Sequence, residues 1–484
     1  MDKRARTACL LLAILCSLGQ SPDPRGGPPA APEKDVSRLE KLILADSFRD
    51  AERAAAEVLA DPAAGARARA VAGLAVLKAG RVLEAASILG QVVALEPHNP
   101  EAHLGLGRIA WIRNDPDLAI AHLRKAGPSE SFYEEAMRQL WRAAWDRGIV
   151  SDLFEIYRTA EERYAREGRP LPSWFTNGLG QVRGLAGKRL FEMEGRFEHL
   201  EIPLVTDAEP RARNRMIALG LNGKGEYPFT IDSAAVDFLT VSPLLADELG
   251  LALTGSSTAT GVGTMEPSVR FAVLDKVELG PIAFRNVPVM VSDIRTFRGL
   301  KKGLLGTALL KRFNVTIDVE AKVMDLYPLD RPELLASAIN RPAVAADVPL
   351  YLFDATTVEV SLGGAPAALY ILDSAAATHL VDGAFFDEHL RPKLDPAKIR
   401  PSMIQGAGGA ENVNQIDGLS IALGPLVLEG QTVHEFPMER LNAIGGRYLV
   451  GLVGNRLLWP YRAHMDFRAG RLILERRTAS QRAR

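Results

Sequence analysis

A four-residue phrase, Asp-Ser-Ala-Ala, occurs twice in the chain, at 232–235 and at 373–376. Each copy follows an apolar, strand-like run, Tyr227–Ile231 in the first case and Ala368–Leu372 in the second. The copies lie 141 residues apart, about one domain length. An acid at the end of a buried strand is costly unless it is hydrogen-bonded or shares its charge with a partner. The repeat therefore predicts two similar domains whose aspartates act as partners.

Length and charge restrict what else the chain can be. Its 484 residues correspond to roughly three domains, and a hydrophobic fraction of 47% is enough to build ordinary cores. The net charge of −1 gives no reason to expect binding to nucleic acid or to an anionic membrane surface.

The first 19 residues have the pattern of a signal peptide. A basic segment, Met1–Arg6, precedes an apolar segment, Thr7–Leu18, that is too short to span a bilayer as a mature helix. Small residues in Ser17–Gly19 suit a cleavage site. We therefore expect export to the periplasm or the extracellular space, with no stable membrane span. Lipoprotein anchoring at Cys16 is the alternative.

Both cysteines of the chain, Cys9 and Cys16, lie inside this segment. A mature chain that begins after Gly19 would contain no thiol, which excludes disulfides, cysteine nucleophiles and thiolate metal sites. His434-Glu435 has no second histidine four residues later, so the zinc-peptidase pattern is missing. We expect no metal and no cofactor.

A Pro/Gly-rich linker is predicted at 20–35, followed by a helical domain at 36–175 with an internal period of 34 residues. The matching pairs are Gly73 and Gly107, Ala85 and Ala119, and Leu89 and Leu123. Pro97 closes the first unit, and Pro128 lies near the close of the second. This pattern is similar to tetratricopeptide repeats, where small residues lie at the crossing of two helices. The resemblance implies a small solenoid with a surface for a protein partner.

The rest of the chain predicts two all-β domains, at 195–330 and 348–478. Its apolar runs are short, alternate with polar residues and are interrupted by Gly, Pro and Asn. Both domains repeat one order: a strand with Asp-Ser-Ala-Ala, a glycine-rich segment, an apolar-apolar-Gly triplet and a final strand. The glycine-rich segments contain Gly261 and Gly263 in the first copy, and Gly406 and Gly408 in the second. The triplets are Leu304–Gly306 and Leu452–Gly454.

This order resembles the retropepsin-like aspartic peptidases over about 201–476. The resemblance implies catalytic aspartates at Asp232 and Asp373, with Ser233 and Ser374 as hydroxyls that cross-link the two loops. It also implies that Gly306 and Gly454 belong to braces beneath the loops, and that the glycine-rich segments form flaps over the substrate. Two units in one chain are similar to the covalent pseudo-dimer of pepsin-type enzymes.

The implied function is that of an aspartic endopeptidase. One carboxylate of such a pair accepts a proton from water while its neutral partner polarises the carbonyl of a peptide or protein substrate. Ala234 and Ala375 stand where this family normally has glycine in the loop. The sequence therefore leaves a second interpretation open, a catalytically inactive module that binds peptides in the same cleft.

Overall fold

The described residues of the computed structural model are 33–206, 215–258, 261–263, 266–293, 297, 300–439, 441–442 and 446–477. The predicted signal peptide, with Cys16, and most of the predicted linker lie outside them. The first helix begins at Glu33, inside the range 20–35 predicted for the linker. Within the described part of the chain, no helix is both long enough and apolar enough to cross a bilayer.

The first part of the described chain is helical, and successive helices pack against one another. The helices are α1 (Glu33–Leu44), α2 (Phe48–Ala60), α3 (Ala66–Lys78), α4 (Val82–Leu95), α5 (Pro100–Ile112), α6 (Pro116–Ala126), α7 (Tyr133–Arg147), α8 (Val150–Arg166) and α9 (Ser173–Val182). Asn99 and Asp115 begin α5 and α6, because each side chain accepts a backbone N–H of the first turn and a proline follows directly.

The period of 34 residues reflects a repeated helix crossing. A Cβ atom added to Gly73 would lie 2.8 Å from Leu89 Cδ2, and one added to Gly107 would lie 2.6 Å from Leu123 Cγ. Any larger residue would push the leucine away, so each glycine lets two helices approach closely. The contacts of Gly73 with Leu89 and of Gly107 with Leu123 are thus two copies of one packing arrangement.

Helix α5 is buried on nearly all sides, although it carries Glu101, His103 and Arg108. Every residue of the helix except Pro100 and Leu106 is buried. Helices α4 and α6 pack against it, and the second β domain covers it from another side. A solenoid with a free inner surface would leave such a face open to solvent, and here it is covered from within the chain.

His103 on α5 and His122 on α6 share a hydrogen bond of 2.8 Å between their Nδ1 atoms. His103 Nε2 lies 2.9 Å from the carbonyl oxygen of Pro97, so Nε2 carries the proton and Nδ1 accepts from His122. Burial, and next the neighbouring His103, lower the pKa of His122. The folded helical domain therefore resists protonation of His122.

We expect the chain to lose stability as the pH falls below about 6.5, because unfolded His122 takes up a proton that the folded form excludes. His122→Asn keeps a hydrogen-bond donor that cannot titrate, and should weaken this pH dependence. Urea unfolding followed by circular dichroism at pH 7.5 and pH 5.5 measures the effect. Exposed His98 is the control, since His98→Asn should leave the pH dependence unchanged. Equal pH dependence in wild type and His122→Asn would contradict the argument.

The first β domain is built from strands that alternate between buried and exposed residues or are buried throughout. Its strands are β1 (Glu192–Glu194), β2 (Leu200–Pro203), β3 (Val205–Thr206), β4 (Arg215–Leu221), β5 (Glu226–Ile231), β6 (Leu239–Val241), β7 (Thr254–Thr258), β8 (Ser268–Leu279), β9 (Ile282–Ser292), β10 (Gly303–Leu305), β11 (Phe313–Asp318) and β12 (Val323–Pro328). Short helices α10 (Pro243–Leu249) and α11 (Thr307–Leu310) lie between them, and α12 (Pro332–Ala338) leads to the second domain.

The second β domain follows the same plan. Its strands are β13 (Val344–Pro349), β14 (Tyr351–Phe353), β15 (Ala355–Leu362), β16 (Ala368–Asp373), β17 (His379–Asp382), β18 (Ile399–Gly406), β19 (Gly409–Leu423), β20 (Leu426–Phe436), β21 (Gly451–Gly454), β22 (Arg462–Asp466) and β23 (Arg471–Glu475), with helix α13 (Gly383–His389) after β17. Helices followed by these sheets confirm the predicted fold class.

The larger sheets of the two domains have matching orders. The first runs β1-β9-β6-β10-β5-β4-β8-β7, with β3 paired to β4, and the second runs β14-β15-β16-β21-β17-β20-β19-β18. Strand β5, which leads to Asp232, lies between β4 and β10. Strand β16, which ends at Asp373, lies between β15 and β21 in the same way. The repeated phrase therefore marks equivalent places in two copies of one strand arrangement.

A third sheet joins the domains, with strand order β13-β23-β22-β11-β12-β2. Its central pair, β11 and β22, runs from Val315 opposite Met465 to Asp318 opposite Arg462. Each domain contributes three strands in mirrored order, which is the arrangement expected of a pseudo-twofold. One hydrophobic core continues through the helical domain and both β domains.

Candidate active site

The two aspartates of the repeated phrase lie at the ends of equivalent strands. Asp232 directly follows β5, and Asp373 is the last residue of β16. Each strand runs parallel to the strand of an apolar-apolar-Gly triplet, with Ile231 opposite Leu305 and Asp373 opposite Gly454. The backbone N–H of Asp232 also donates to the Leu305 carbonyl oxygen at 2.9 Å. Each acid thus sits where two parallel strands end together.

Two serine hydroxyls cross-link the loops. The Ser233 N–H donates to Ser374 Oγ and the Ser374 N–H donates to Ser233 Oγ, both at 3.0 Å. Ser233 Oγ then donates to the Leu372 carbonyl oxygen at 2.6 Å, and Ser374 Oγ donates to that of Ile231 at 2.8 Å. Both serines are fully buried. This reciprocal set of four hydrogen bonds brings the neighbouring aspartates of the two domains together.

Alanine in the third position of the loop keeps the hydrogen bonds that a carboxylate needs. Asp232 Oδ1 accepts the N–H groups of Ala234 and of the next residue, both at 2.9 Å. Asp373 Oδ1 accepts those of Ala375 and of the next residue, both at 2.8 Å. Neither alanine has a positive φ angle. Replacement of glycine by alanine therefore removes no hydrogen-bond donor and introduces no backbone strain.

The glycines of the two triplets fill spaces that accept no side chain. A Cβ atom on Gly306 would lie 2.0 Å from the carbonyl oxygen of Asp237 and 2.8 Å from that of Ala235. A Cβ atom on Gly454 would lie 2.3 Å from the carbonyl oxygen of Thr378. The obstructing atoms are backbone in both domains, so the triplets pack directly under the aspartate loops.

The electrostatics of the pair favour a shared proton. Burial, and next the charge of Asp232, raise the pKa of Asp373 to about 7. Burial also raises the pKa of Asp232, against the opposing effect of the two N–H groups bonded to it. Two coupled carboxyls of this kind release their protons in two separate steps. Between those steps the pair contains one neutral acid and one carboxylate.

The predicted flap glycines lie at the tips of two hairpins that touch each other. The Gly408 N–H donates to the carbonyl oxygen of Val262 at 2.8 Å. Cβ atoms would lie 2.3 Å from the Gly408 carbonyl carbon if added to Gly263, and 2.5 Å from Val262 Cβ if added to Gly406. At Gly261 the nearest atom would be the methyl carbon of residue 407, at 3.0 Å. The absence of side chains therefore lets the two tips meet.

Sequence reasoning missed two threonines near the serine cross-link. Thr307 Oγ1 donates to the carbonyl oxygen of Ser233 at 2.8 Å, and Thr356 Oγ1 donates to it at 2.9 Å. The position of Thr307 directly after Gly306 could have drawn attention to it. Thr356 is 123 residues from Ser233, and no local pattern points to it.

One cluster of possible metal ligands occurs among the described residues, and it lies on the shared sheet. His199, Glu201 and Asp325 place ligand atoms within 4.8 Å of one another. His199 Nε2 and Asp325 Oδ1 already form a hydrogen bond of 2.8 Å. An aspartate pair that activates water needs no metal, so this cluster has no part in the chemistry described above.

Two strand-end aspartates, cross-linked loops and glycine-tipped hairpins make up the candidate site. Residues 217–309, which include Asp232, match the family described as aspartyl protease. Residues 71–130 match the tetratricopeptide repeat family. The chain therefore contains a retropepsin-like domain and tetratricopeptide repeats, as the sequence predicted. No curated protein matches the chain.

Proposed function

We propose that the protein is an aspartic endopeptidase that hydrolyses peptide bonds through Asp232 and Asp373. The observation that carries this proposal is the reciprocal hydrogen bonding of Ser233 and Ser374, which brings one acid from each domain to a common point. The family match covers only the first of the two aspartates, so the role of the second depends on this geometry.

The reaction needs only water and the carboxyl pair. The ionised carboxylate takes a proton from a water molecule, whose oxygen attacks the carbonyl carbon of the scissile bond. The neutral acid gives its proton to the carbonyl oxygen, so the intermediate is an uncharged gem-diol. The acid of the pair then gives a proton to the amide nitrogen as the C–N bond breaks, and the carboxylate of the pair takes one from a hydroxyl of the gem-diol. Two new termini leave, and the pair again holds one proton.

The substrate would be an extended segment of a peptide or unfolded protein. The flap tips joined by Gly408 and Val262 must separate before a chain can enter. An extended chain presents its backbone N–H and carbonyl groups to both sides, which suits a site formed between sheets and hairpins. The assignment to export, in the periplasm or outside the cell, is part of this proposal and has its support in the N-terminal pattern.

Recruitment of a protein partner by the helical domain is also proposed. The repeats support it, since solenoids of this kind commonly bind proteins. Because the second β domain covers α5, a partner would bind the outer side of the helices. Leu83 and Leu95 on α4 are exposed there, by 61% and 78%.

The test is hydrolysis of an unfolded protein between pH 3 and pH 9. We expect cleavage to fall as the pH rises through about 7, because Asp373, whose pKa is raised by burial, then loses the shared proton. Activity should also fall at the acid end, where both carboxyls become protonated. Binding of the unfolded protein without cleavage at any pH would instead support the inactive peptide-binding module.

A further inference from the structure

The helical domain contacts both β domains, and one ion-paired contact in each domain leads toward the aspartate loops. In the first β domain this contact is Lys311, which directly follows α11. Lys311 Nζ donates to Asp146 Oδ2 at 2.5 Å, and both side chains are about nine-tenths buried. Asn114 Nδ2 donates to the Lys311 carbonyl oxygen at 2.8 Å, and Arg312 donates to the carbonyl oxygen of Asp146 at 3.1 Å. Helix α7 and the connection between α5 and α6 thus both bind the end of α11.

In the second β domain the corresponding ion-paired contact is Asp354, in the turn between β14 and β15. Its carboxylate lies 3.0 Å from Arg142 of α7 and 3.2 Å from Arg447. Burial by itself would raise the pKa of Asp354, but the positive charges of Arg142 and Arg447 outweigh it, so the pKa is lowered. Asp354 has a φ angle of 68°, in the left-handed region that non-glycine residues seldom adopt. The ion pairs with Arg142 and Arg447 stabilise this strained turn.

Helix α11 and the β14–β15 turn, which the helical domain contacts, both lead to the carbonyl oxygen of Ser233. Helix α11 begins with Thr307, whose hydroxyl donates to the Ser233 carbonyl oxygen at 2.8 Å. Two residues beyond Asp354, Thr356 donates to that oxygen through both Oγ1, at 2.9 Å, and its N–H, at 3.0 Å. Thr356 Oγ1 also reaches the Leu372 carbonyl oxygen at 2.8 Å. The contacts at Lys311 and Asp354 therefore converge on the loop of Asp232.

The equivalent positions around Asp373 lack these hydroxyls. Asn455 follows Gly454 where Thr307 follows Gly306 in the first domain. The strand register equates Thr356 with Arg215, because β4 and β15 pair with the strands before the aspartates in the same alignment. The support is asymmetric, although the fold around it is duplicated.

We propose that the helical domain is an internal brace of the active site, in which Arg142 and Asp146 are positioning residues for the loop of Asp232. This inference rests on the proposed peptidase function for its kinetic readout. The brace acts through two segments, α11 and the β14–β15 turn. Each is bound to the helical domain at one end and to the Ser233 carbonyl oxygen at the other. A helical domain that only recruits proteins would not need ion pairs with both β domains, one of them nearly buried and the other partly buried.

Arg142→Gln and Asp146→Asn in the full-length chain test the brace. We expect each to lower kcat about ten-fold with little change in KM, because a displaced Asp232 loop impairs the chemistry more than the binding. The matched control is Arg124→Gln, which removes an exposed ion pair with Glu155 within the helical domain and should change neither constant. Arg142→Lys, which keeps a charge near Asp354, should restore part of the loss.

Amide hydrogen exchange of residues 231–238 provides a readout that does not depend on activity. In wild type, the N–H groups of Ala234 and Ala235 are bonded to Asp232, and both substitutions should make this segment exchange faster. Arg124→Gln should leave its exchange unchanged. Unchanged exchange in folded Arg142→Gln and Asp146→Asn would overturn the brace. A wild-type chain that cleaves nothing, yet shows the exchange effect, would refute the peptidase and retain the brace.

Discussion

Asp232→Asn and Asp373→Asn should each lower kcat for peptide hydrolysis by about 10³-fold. Asparagine can neither accept the proton of water nor supply one to the carbonyl oxygen, so a single substitution removes half of the acid–base pair. Its Oδ1 atom still accepts the two loop N–H groups, so the fold should be retained. Rates on a fluorogenic peptide at pH 5 measure the loss. Asp275→Asn, on the exposed side of β8, is the matched control and should leave the rate unchanged.

Although it lowers activity, Asp373→Asn should raise the stability of the folded chain at neutral and alkaline pH. The pKa of Asp373 is about 7 when folded and 3.8 in an unfolded chain, so the folded form holds its proton more tightly. The stability from this proton is fully present below pH 3.8 and is lost as the pH rises through 7. Asp373→Asn avoids that loss, and we expect it to be more stable than wild type by ~1–3 kcal/mol at pH 8. At pH 3.5 the difference should vanish.

Urea unfolding of the two proteins at both pH values measures this difference. If either asparagine variant kept more than a tenth of the wild-type rate, the paired-acid mechanism would be wrong. If Asp373→Asn instead destabilised the chain at pH 8, the carboxyl would be stabilised by a positive partner rather than strained by burial. Loss of activity together with a gain in stability is therefore the signature of a functional pair.

The features that sequence reasoning recovered are those that repeat or that carry local chemistry. Asp-Ser-Ala-Ala and the apolar-apolar-Gly triplet recur because the triplet packs against the aspartate loop in the same way in both domains. The crossing of Gly73 with Leu89 recurs at Gly107 for a similar reason. A repeated residue type at a repeated position indicates the contact without any knowledge of its partner.

The contacts that sequence reasoning missed join residues far apart in the chain. Arg142 and Asp354 are 212 residues apart, and neither position belongs to a periodic pattern. Helix α5 shows the same limit, because a charged residue such as Arg108 suggests a solvated face, whereas Arg108 is buried and bonds to the Gly446 carbonyl oxygen of the second β domain. Helical periodicity identifies the helix but does not reveal which domain will cover it. The brace that we propose for the helical domain therefore rests on contacts that only the three-dimensional structure reveals.

Gly306→Ala should destabilise the chain by more than ~3 kcal/mol, the largest stability effect that we expect of a single methyl group here. The backbone angles at Gly306 are ordinary, with φ −96° and ψ 178°, so any residue could adopt them. The requirement for glycine is steric, because the added carbon would lie 2.0 Å from the Asp237 carbonyl oxygen. Relief requires the backbone of the aspartate loop itself to move, and activity should be lost with stability.

Gly454→Ala should cost a similar amount, since its added carbon would meet the Thr378 carbonyl oxygen at 2.3 Å with equally ordinary backbone angles. The matched control is Gly90→Ala within α4, where nothing lies within 4 Å of the new carbon. That change should stabilise the chain by ~0.5–1 kcal/mol, because alanine loses less backbone entropy in a helix. Thermal unfolding of the three variants decides the matter. Equal stability of Gly306→Ala and Gly90→Ala would mean that the triplet does not pack beneath the aspartate loop. The two aspartates would then lack the rigid support on which a shared proton depends.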